Sequence, residues 1–267
     1  MNSFLFIDSD NAMGSDRGNV DDGFAIAALI RSGIEIAGIG SIGGNTSEHE
    51  AAANNRGVAE QLGWNGPHFR GASREQEWDS AASRAIAGGE HPLRVVALGP
   101  LTNVAGALRL EEPPIGEIIL VGSNPSSPGR WPPLWPHESN LTWDRAATRA
   151  VFESEARLTI VPLDVVDLLK VGRDRLSGIA GEIGHYIRGH AERWLQAKTR
   201  WRRRKTVRLP DLVAAMFVIV PELFAISEME ALAHKNGWIE YGRGRKVEVV
   251  RNFDPNRVWA RFIETLG

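Results

Sequence analysis

The stretch FIDSDNAMGSDRGNVDDGFAIA, residues 6–27, decides the fold class. It begins as an apolar run, Ser3–Ile7 (SFLFI), that reads as a strand ending in acids. It closes in Asp22–Ser32 (DGFAIAALIRS), whose apolar residues recur at helical spacing behind an acidic start. Acids suit a helix N-terminus, where the peptide dipoles favour negative charge. A strand followed by a helix, with polar residues crowded at the junction, is the opening unit of an α/β domain. Further along, the strand Glu35–Ile42 precedes the helix Ser47–Leu62, and the strand Leu93–Leu98 precedes a helix from Leu101 to Leu110. The strand Glu117–Val121, the helix Trp143–Glu153 and the strand Leu158–Leu163 continue the alternation. Lys246–Val250 and Pro255–Leu266 read as a closing strand and helix without site residues. This order predicts an open, mainly parallel sheet with helices on both faces. In such sheets ligands bind beyond the carboxyl ends of the strands.

Composition narrows the classes. The chain has 267 residues, 43% of them hydrophobic, enough for one large core or two small ones; neither an internal repeat nor a clear linker divides it, so residues 1–267 are expected to form one domain. A formal net charge of −2 provides no global field for nucleic acid or anionic lipid. With no cysteine, thiolate nucleophiles, disulfides and cysteine metal sites are excluded. No apolar run approaches the ~18 residues of a membrane span, and the opening segment lacks the apolar core of a signal peptide. A cytoplasmic protein is expected.

The segment around the first strand places Asp8, Asp10, Asp16, Asp21 and Asp22 at one strand end and one helix start. Carboxylates at close quarters stay ionised together only if a cation or hydrogen-bond donors compensate. Hard oxygen ligands suit Ca²⁺ or Mg²⁺ rather than Zn²⁺. Asp8 and Asp10 lie two apart on a strand and share a face. The alternative is a solvated acidic loop with a helix cap.

This pattern resembles the nucleoside hydrolases of the inosine–uridine type, which begin with a strand and DxDxGxDDxxAI. Asp8, Asp10, Asp21, Asp22, Ala25 and Ile26 match it; the departure is Asn11–Val20, an insertion where the family has a short turn. Four further segments agree in order: Ser41–Thr46 (SIGGNT), Leu98–Ala105 (LGPLTNVA), Glu138–Asp144 (ESNLTWD) and Val161–Val165 (VPLDV). The resemblance spans most of the chain. It implies a calcium-dependent N-ribohydrolase that splits a ribonucleoside, in purine or pyrimidine salvage, into ribose and free base. It also implies that Asp10, Asp22, Asp211 and the Thr102 carbonyl hold Ca²⁺, which binds the ribose hydroxyls and the attacking water, with Asp10 as the base. Asp21, Asn45, Glu138 and Asn140 are implied to clamp the sugar, and Asp8 to support the cluster from behind. A homodimer or homotetramer is the implied assembly.

One departure concerns the leaving group. Where many family members carry HDP, this chain has Leu209-Pro210-Asp211, and proline has no proton to give. His137, His185 and His190 are the candidate replacements. Trp194, Trp131, Trp135 and Trp201 are candidates for stacking on a base, against the commoner role of burying area. Two stretches read as long loops: Ser123–His137, with five prolines and two tryptophans, and the basic Thr199–Leu209. A loop as long as Ser123–His137 inside a compact domain is usually functional or disordered. The run Arg200–Lys205 invites a nucleic-acid reading, although a solvated helix end before Asp211 explains it better. A phosphate or acidic group on the substrate is a third use for that charge, which would make the substrate other than a plain nucleoside.

Rival readings remain. Gly38-Ile39-Gly40-Ser41-Ile42-Gly43 satisfies GxGxxG, the pyrophosphate-binding pattern of a dinucleotide-binding dehydrogenase, but its glycines fall inside an apparent strand instead of the turn after it, and the aspartate cluster would then have no task. A ribose-binding protein without catalysis and an enzyme for a modified nucleoside or another ribosyl compound are the other two.

Overall fold

The computed structural model describes residues 4–15, 18–89, 92–110, 113–125, 139–202 and 205–267, the side chains of 198–202 excepted. Strand β1 (Phe4–Ser9) leads through the insertion to α1 (Asp21–Arg31), β2 (Ile36–Ser41) and α2 (Glu48–Gln61). Then follow β3 (His68–Phe69), α3 (Ala81–Ala87), β4 (Leu93–Ala97), α4 (Thr102–Leu108) and β5 (Ile115–Val121). Beyond residue 138 come α5 (Ser139–Trp143), α6 (Arg145–Glu153), β6 (Arg157–Val161) and α7 (Leu163–Val166). A smaller group is β7 (Lys170–Val171), α8 (Arg173–Ser177), α9 (Gly181–Arg202), β8 (Val207–Arg208) and α10 (Pro210–Ile219). The chain closes with β9 (Phe224–Ala233), β10 (Ile239–Tyr241), β11 (Arg245–Phe253) and α11 (Pro255–Leu266).

Among the described residues, nine strands form one sheet in the order β10-β9-β11-β6-β5-β4-β1-β2-β3. From β3 to β11 every neighbouring pair is parallel, and β9 and β10 add an antiparallel edge. The expected mainly parallel sheet is therefore present. The sheet alternates between two cores because successive side chains point to opposite faces. Leu5 and Ile7 join Phe24, Ile26, Leu212 and Phe262 on the face covered by α1, α9, α10 and α11. Phe6 turns the other way, to Val95, Val104 and Val151 beneath α3, α4 and α6.

Strand β1 lies between β4 and β2. Its connection runs to α1 on one face, while the connection from β4 runs to α4 on the other. The strand order thus reverses at β1 and β4, and the crevice between their carboxyl ends is where such sheets receive ligands.

Several expected elements differ in detail. The helix expected over Trp143–Glu153 is divided at Asp144, whose carboxylate accepts the Ala147 N–H at 3.0 Å and so caps α6. The strand expected to reach Leu163 stops at Val161, because Pro162 has no N–H for the ladder and instead precedes α7. The basic stretch Thr199–Leu209 is not a long loop: α9 runs through Arg202, and Val207–Arg208 pairs antiparallel with Lys170–Val171. Within it, Arg208 ion-pairs with Asp167 at 2.5 Å, so that charge is matched inside the protein. Most of the Pro/Trp stretch, with Trp131, Trp135, His137 and Glu138, lies outside the described residues. Among the described residues no helix is long and apolar enough to cross a membrane.

The GxGxxG match has a steric explanation. A Cβ on Gly38 would lie 2.6 Å from the Phe69 ring, and one on Gly40 would lie 2.8 Å from Asp8 Oδ1. Gly38 and Gly40 belong to β2 itself, where they admit a ring and a carboxylate instead of a pyrophosphate.

Candidate active site

Two helix starts and one strand end supply the acids. Asp21 and Asp22 are the first residues of α1, and Asp211 lies in the first turn of α10, behind Pro210 at the helix start. Helices α1 and α10 pack together in the larger core, which brings their N-termini side by side. One carboxylate oxygen from each of Asp21, Asp22 and Asp211 lies within 4.8 Å of the others. All three residues are buried. Asp10 stands beside them at the end of β1, also fully buried, and its charge acts on Asp21 and Asp211, while that of Asp22 acts on it.

Asn45 holds Asp10 twice. The Asn45 backbone N–H donates to its Oδ2 at 2.7 Å, and Asn45 Nδ2 donates to Oδ1 at 3.2 Å. The walls around the carboxylate are glycine. A Cβ on Gly44 would stand 2.2 Å from Asp10 Oδ2, and one on Gly99 would stand 3.1 Å from Asp10 Cγ. The GGN of the second strand end and the GP of the fourth therefore form the cradle of one carboxylate.

Asp8 points to the opposite face of β1 from Ser9. Asn103 Nδ2 donates to Asp8 Oδ1 at 2.8 Å and to Ser41 O at 3.0 Å. Asn103 Oδ1 accepts from Ala72 N and Ser80 Oγ, both at 2.9 Å. Ser9 Oγ reaches Asp22 Oδ1 at 2.6 Å on the α1 side. Thr102 is buried at the start of α4, and its hydroxyl donates to Asp144 Oδ2 at 3.0 Å. That contact fixes the backbone from which the Thr102 carbonyl projects. Asn140 Nδ2 donates to Leu98 O at 2.8 Å, which leaves its carbonyl oxygen as the amide atom available to a ligand.

Burial dominates the electrostatics. It pushes the Asp8 carboxyl up to about 7, with Asn103 lowering it and Asp10 raising it further. It pushes Asp22 up to about 7 and Asp21 to about 6. Asp10 and Asp211 rise well above the usual carboxylate range, first from burial and then from the neighbouring aspartates. Asp8 Oδ2, Asp21 Oδ1 and Asp22 Oδ2 are buried without any hydrogen-bond partner. Carboxylates so crowded must either take up protons or receive a cation. A hard divalent ion fits this all-oxygen set, and its charge would offset the burial and mutual repulsion that raise these carboxyls.

The other expected contacts fall further out. His185 is exposed on α9 and hydrogen-bonds Arg188 at 2.6 Å. His190 is half-buried, packs on Tyr186 with ring centroids 4.8 Å apart, and lies 3.6 Å from where a Cβ on Gly14 would stand. It thus touches the outside of the insertion. Trp194 is buried in the larger core. Sequence reasoning passed over Asn103 and Ser9, although both sit inside the motifs that carry the resemblance. It also passed over Trp143, whose ring lies 3.4 Å from a Cβ built on Gly43, beside the turn that holds Asp10.

An α/β sheet with a buried acidic crevice at the β1/β4 reversal defines a class: a protein whose strand ends form a ligand crevice with an acidic cluster that could hold a hard cation. Similarity to known proteins makes it specific. The profile of the inosine-uridine preferring nucleoside hydrolases matches residues 6–260, and the chain belongs to that family. It is similar to probable uridine nucleosidase 2 of Arabidopsis thaliana, with 26% identity over 63% of this chain and 53% of the relative. It is 30% identical to a putative pyrimidine-specific ribonucleoside hydrolase, RihB, of Shigella boydii over 46% of this chain and 54% of the relative. The chain thus spans about half the length of these curated relatives. In fold it resembles a plant nucleoside hydrolase (TM-score 0.82, 18% identity, 100% of this chain and 99% of the other). It also resembles a purine-preferring ribonucleoside hydrolase from Gardnerella vaginalis (TM-score 0.78, 21% identity, 99% and 98%).

Proposed function

We propose that this protein is a calcium-dependent N-ribohydrolase that cleaves a ribonucleoside to ribose and free base. The observation that carries the reading is the buried triad Asp21, Asp22 and Asp211, oxygens within 4.8 Å, bordered by Asp10 in its glycine cradle. Family membership and the uridine and ribonucleoside activities named for the relatives support it.

Asp10, Asp22, Asp211 and the Thr102 carbonyl would hold the Ca²⁺, with Asp21 close enough to share it. When bound, the ion supplies positive charge that orders the sugar's 2′- and 3′-hydroxyls and acidifies water. The residues of the chain do the remaining work. Asp10, fixed by two Asn45 hydrogen bonds, takes a proton from the attacking water. The water oxygen bonds to C1′ as the C1′–N bond breaks, and the electron pair leaves with the base, which then gains a proton. The transition state is oxocarbenium-like, as in other glycoside hydrolysis. Asp21, Asn45, Asn140 and Glu138 orient the ribose, and Asp8 buttresses the cluster.

Pro210 at the start of α10 favours a variant of the same chemistry. The residue beside Asp211 has no proton to donate, which favours ribosyl compounds whose leaving group departs without one, such as a modified nucleoside. His190, 3.6 Å from where a Cβ on Gly14 would stand, is the candidate histidine that meets that loop. One cytoplasmic domain, assembled as a homodimer or homotetramer, completes the proposal; nine described strands, the first at Phe4 and the last ending at Phe253, share one sheet, which supports the single domain.

The test is base release from a panel of purine, pyrimidine and modified ribonucleosides, with and without a calcium chelator. Turnover that the chelator abolishes supports the reading. Nucleoside binding without turnover, in folded calcium-loaded protein, favours a binding protein instead. Turnover that ignores the chelator removes the cation from the mechanism.

A further inference from the structure

Ser123, two residues past the end of β5, lies in the left-handed region at φ +67°. That conformation costs an L side chain energy and costs glycine almost none. The chain nevertheless keeps a serine there, buried at 5% exposure. Its carbonyl accepts from Leu163 N at 3.0 Å. Its Oγ shares a hydrogen bond with Tyr241 Oη at 2.5 Å, in which either hydroxyl can donate. Strands β9, β11 and β6 separate β10, which carries Tyr241, from β5, so this contact is not part of the sheet's own ladder.

The contact lies beside the carbonyls that orient Asn140. Asn140 Nδ2 is 2.8 Å from Leu98 O, just past β4, and 3.5 Å from Val121 O, the last of β5. Leu98 precedes Gly99, on which a Cβ would stand 3.1 Å from Asp10 Cγ, so the amide is tied to the wall of the Asp10 cradle. Val121 precedes Gly122 (φ +151°) and Ser123, so the turn that Tyr241 grips is the one that follows this second carbonyl. The same antiparallel edge meets the helix of Asn140. Between β9 and β10, Gly237 (φ +82°) packs on α5, where its Cβ would stand 2.5 Å from Leu141 O and 3.2 Å from Thr142 Cα. Leu141 directly follows Asn140. The β9–β10 hairpin thus touches both sides of the Asn140 contact.

We propose that Tyr241 is a positioning residue for the ribosyl group. Its hydroxyl locks Ser123 in the left-handed turn, and the locked turn keeps the Val121 carbonyl, together with Leu98 O, where it orients the Asn140 amide. This rests on the N-ribohydrolase reading above, in which Asn140 orients the ribose. It gives a purpose to a serine kept where glycine is easier, and to the antiparallel edge. Tyr241 acts through Asn140 and not through the aspartates, so sugar binding responds to it and calcium binding does not.

The experiment compares wild type, Tyr241→Phe, Ser123→Gly and the double variant in calcium-loaded protein. Tyr241→Phe removes one hydroxyl and keeps the ring. Ser123→Gly removes the other hydroxyl together with the backbone cost. The measurements are D-ribose affinity by calorimetry, kcat and KM on uridine, inosine and p-nitrophenyl riboside, calcium affinity, and melting temperature. Each single variant is expected to weaken D-ribose binding and raise KM about threefold to tenfold, the scale of one hydrogen bond, with kcat and calcium affinity close to wild type. Ser123→Gly is expected to melt close to wild type, because relief of the left-handed strain offsets the lost bond. Sugar binding then falls while stability holds, which a purely structural serine does not produce. The double variant is expected to be no worse than the weaker single, because each removes the same bond. Wild-type D-ribose affinity and KM in both singles would overturn the inference, leaving the hydroxyl pair to hold the edge alone. Losses that add in the double variant would overturn it by showing two separate contacts, and a parallel loss of calcium affinity would overturn it by moving the effect to the aspartates. If wild type cleaves none of the three ribosides but binds D-ribose, and the singles bind it more weakly, the hydrolase reading falls and this inference stands. If wild type neither cleaves nor binds, both fall.

Discussion

Asn103 Nδ2 lies 2.8 Å from Asp8 Oδ1, and this contact ties the start of α4 to the end of β1 across the ligand crevice. The same side chain also bonds Ser41, Ala72 and Ser80, so one amide joins β2, the loop before α3, the α3 cap and the acidic cluster. Removing it orphans several buried groups at once, each at about 1–3 kcal/mol. Asn103→Ala is expected to lose about 3 kcal/mol or more of unfolding free energy in denaturant titrations. A loss below about 1 kcal/mol would mean that water fills the space and the network is not structural.

Asp211→Asn separates the two costs of the cluster. The carboxylate of Asp211 is raised by burial and by Asp21 and Asp22, so in metal-free protein it is a source of strain. Its amide replacement is expected to leave the chelated protein as stable or more stable, while cutting the rise in melting temperature that calcium produces. Activity is expected to fall by about a hundredfold or more, in line with the loss of a preorganised charged group. A variant that retained the full calcium shift would place the ion away from Asp211.

The raised carboxyls give a signed pH dependence. An aspartate titrates at about 3.9 in the unfolded chain. Asp21 is raised to about 6, and Asp8 and Asp22 to about 7. Between the unfolded and folded values the native state holds more protons than the unfolded state, so stability falls as pH rises through that window. Metal-free protein is therefore expected to melt at lower temperature at pH 7 than at pH 5. Calcium competes with those protons, and its stabilisation is expected to grow over the same range. Melting curves at several pH values, with calcium and with chelator, check both. A calcium shift equal at pH 5 and pH 7 would contradict the shared site.

Much of this was legible in the sequence because strand ends announce themselves chemically. The acids after FLFI and the LGPLTN and SIGGNT stretches all fall at carboxyl ends of parallel strands, where the crevice lies. Asp211 was visible only by resemblance, since nothing in its local pattern says that α10 packs beside α1. Asn103 was hidden because a buried asparagine has no sequence mark of its own; its meaning comes from four partners distant in the chain. The antiparallel edge, β9 and β10, was missed for another reason. Strand β9 (FAISEMEALA) mixes acids with alanine and methionine and lacks the apolar runs of the buried parallel strands. The glycines of β2 looked like a phosphate loop, and only the position of Phe69 and Asp8 shows why side chains are excluded there.

Gly44→Ala tests whether the cradle, and not merely the presence of Asp10, is what the chemistry needs. Gly44 has no positive backbone angle that would demand glycine. What excludes a side chain is space: its Cβ would meet Asp10 Oδ2 at 2.2 Å and Pro100 Cδ at 2.9 Å. The cheapest relief is to swing the Asp10 carboxylate, which breaks its alignment with Asn45 N–H and Nδ2. A displacement near 1 Å at a reacting group costs about a hundredfold in rate. The expected variant is folded, with a melting temperature close to wild type in the presence of chelator, and a kcat lowered about a hundredfold with KM much less changed. If instead kcat is kept and only stability falls, the backbone has yielded and the carboxylate has not, and Asp10 does not depend on its glycine walls.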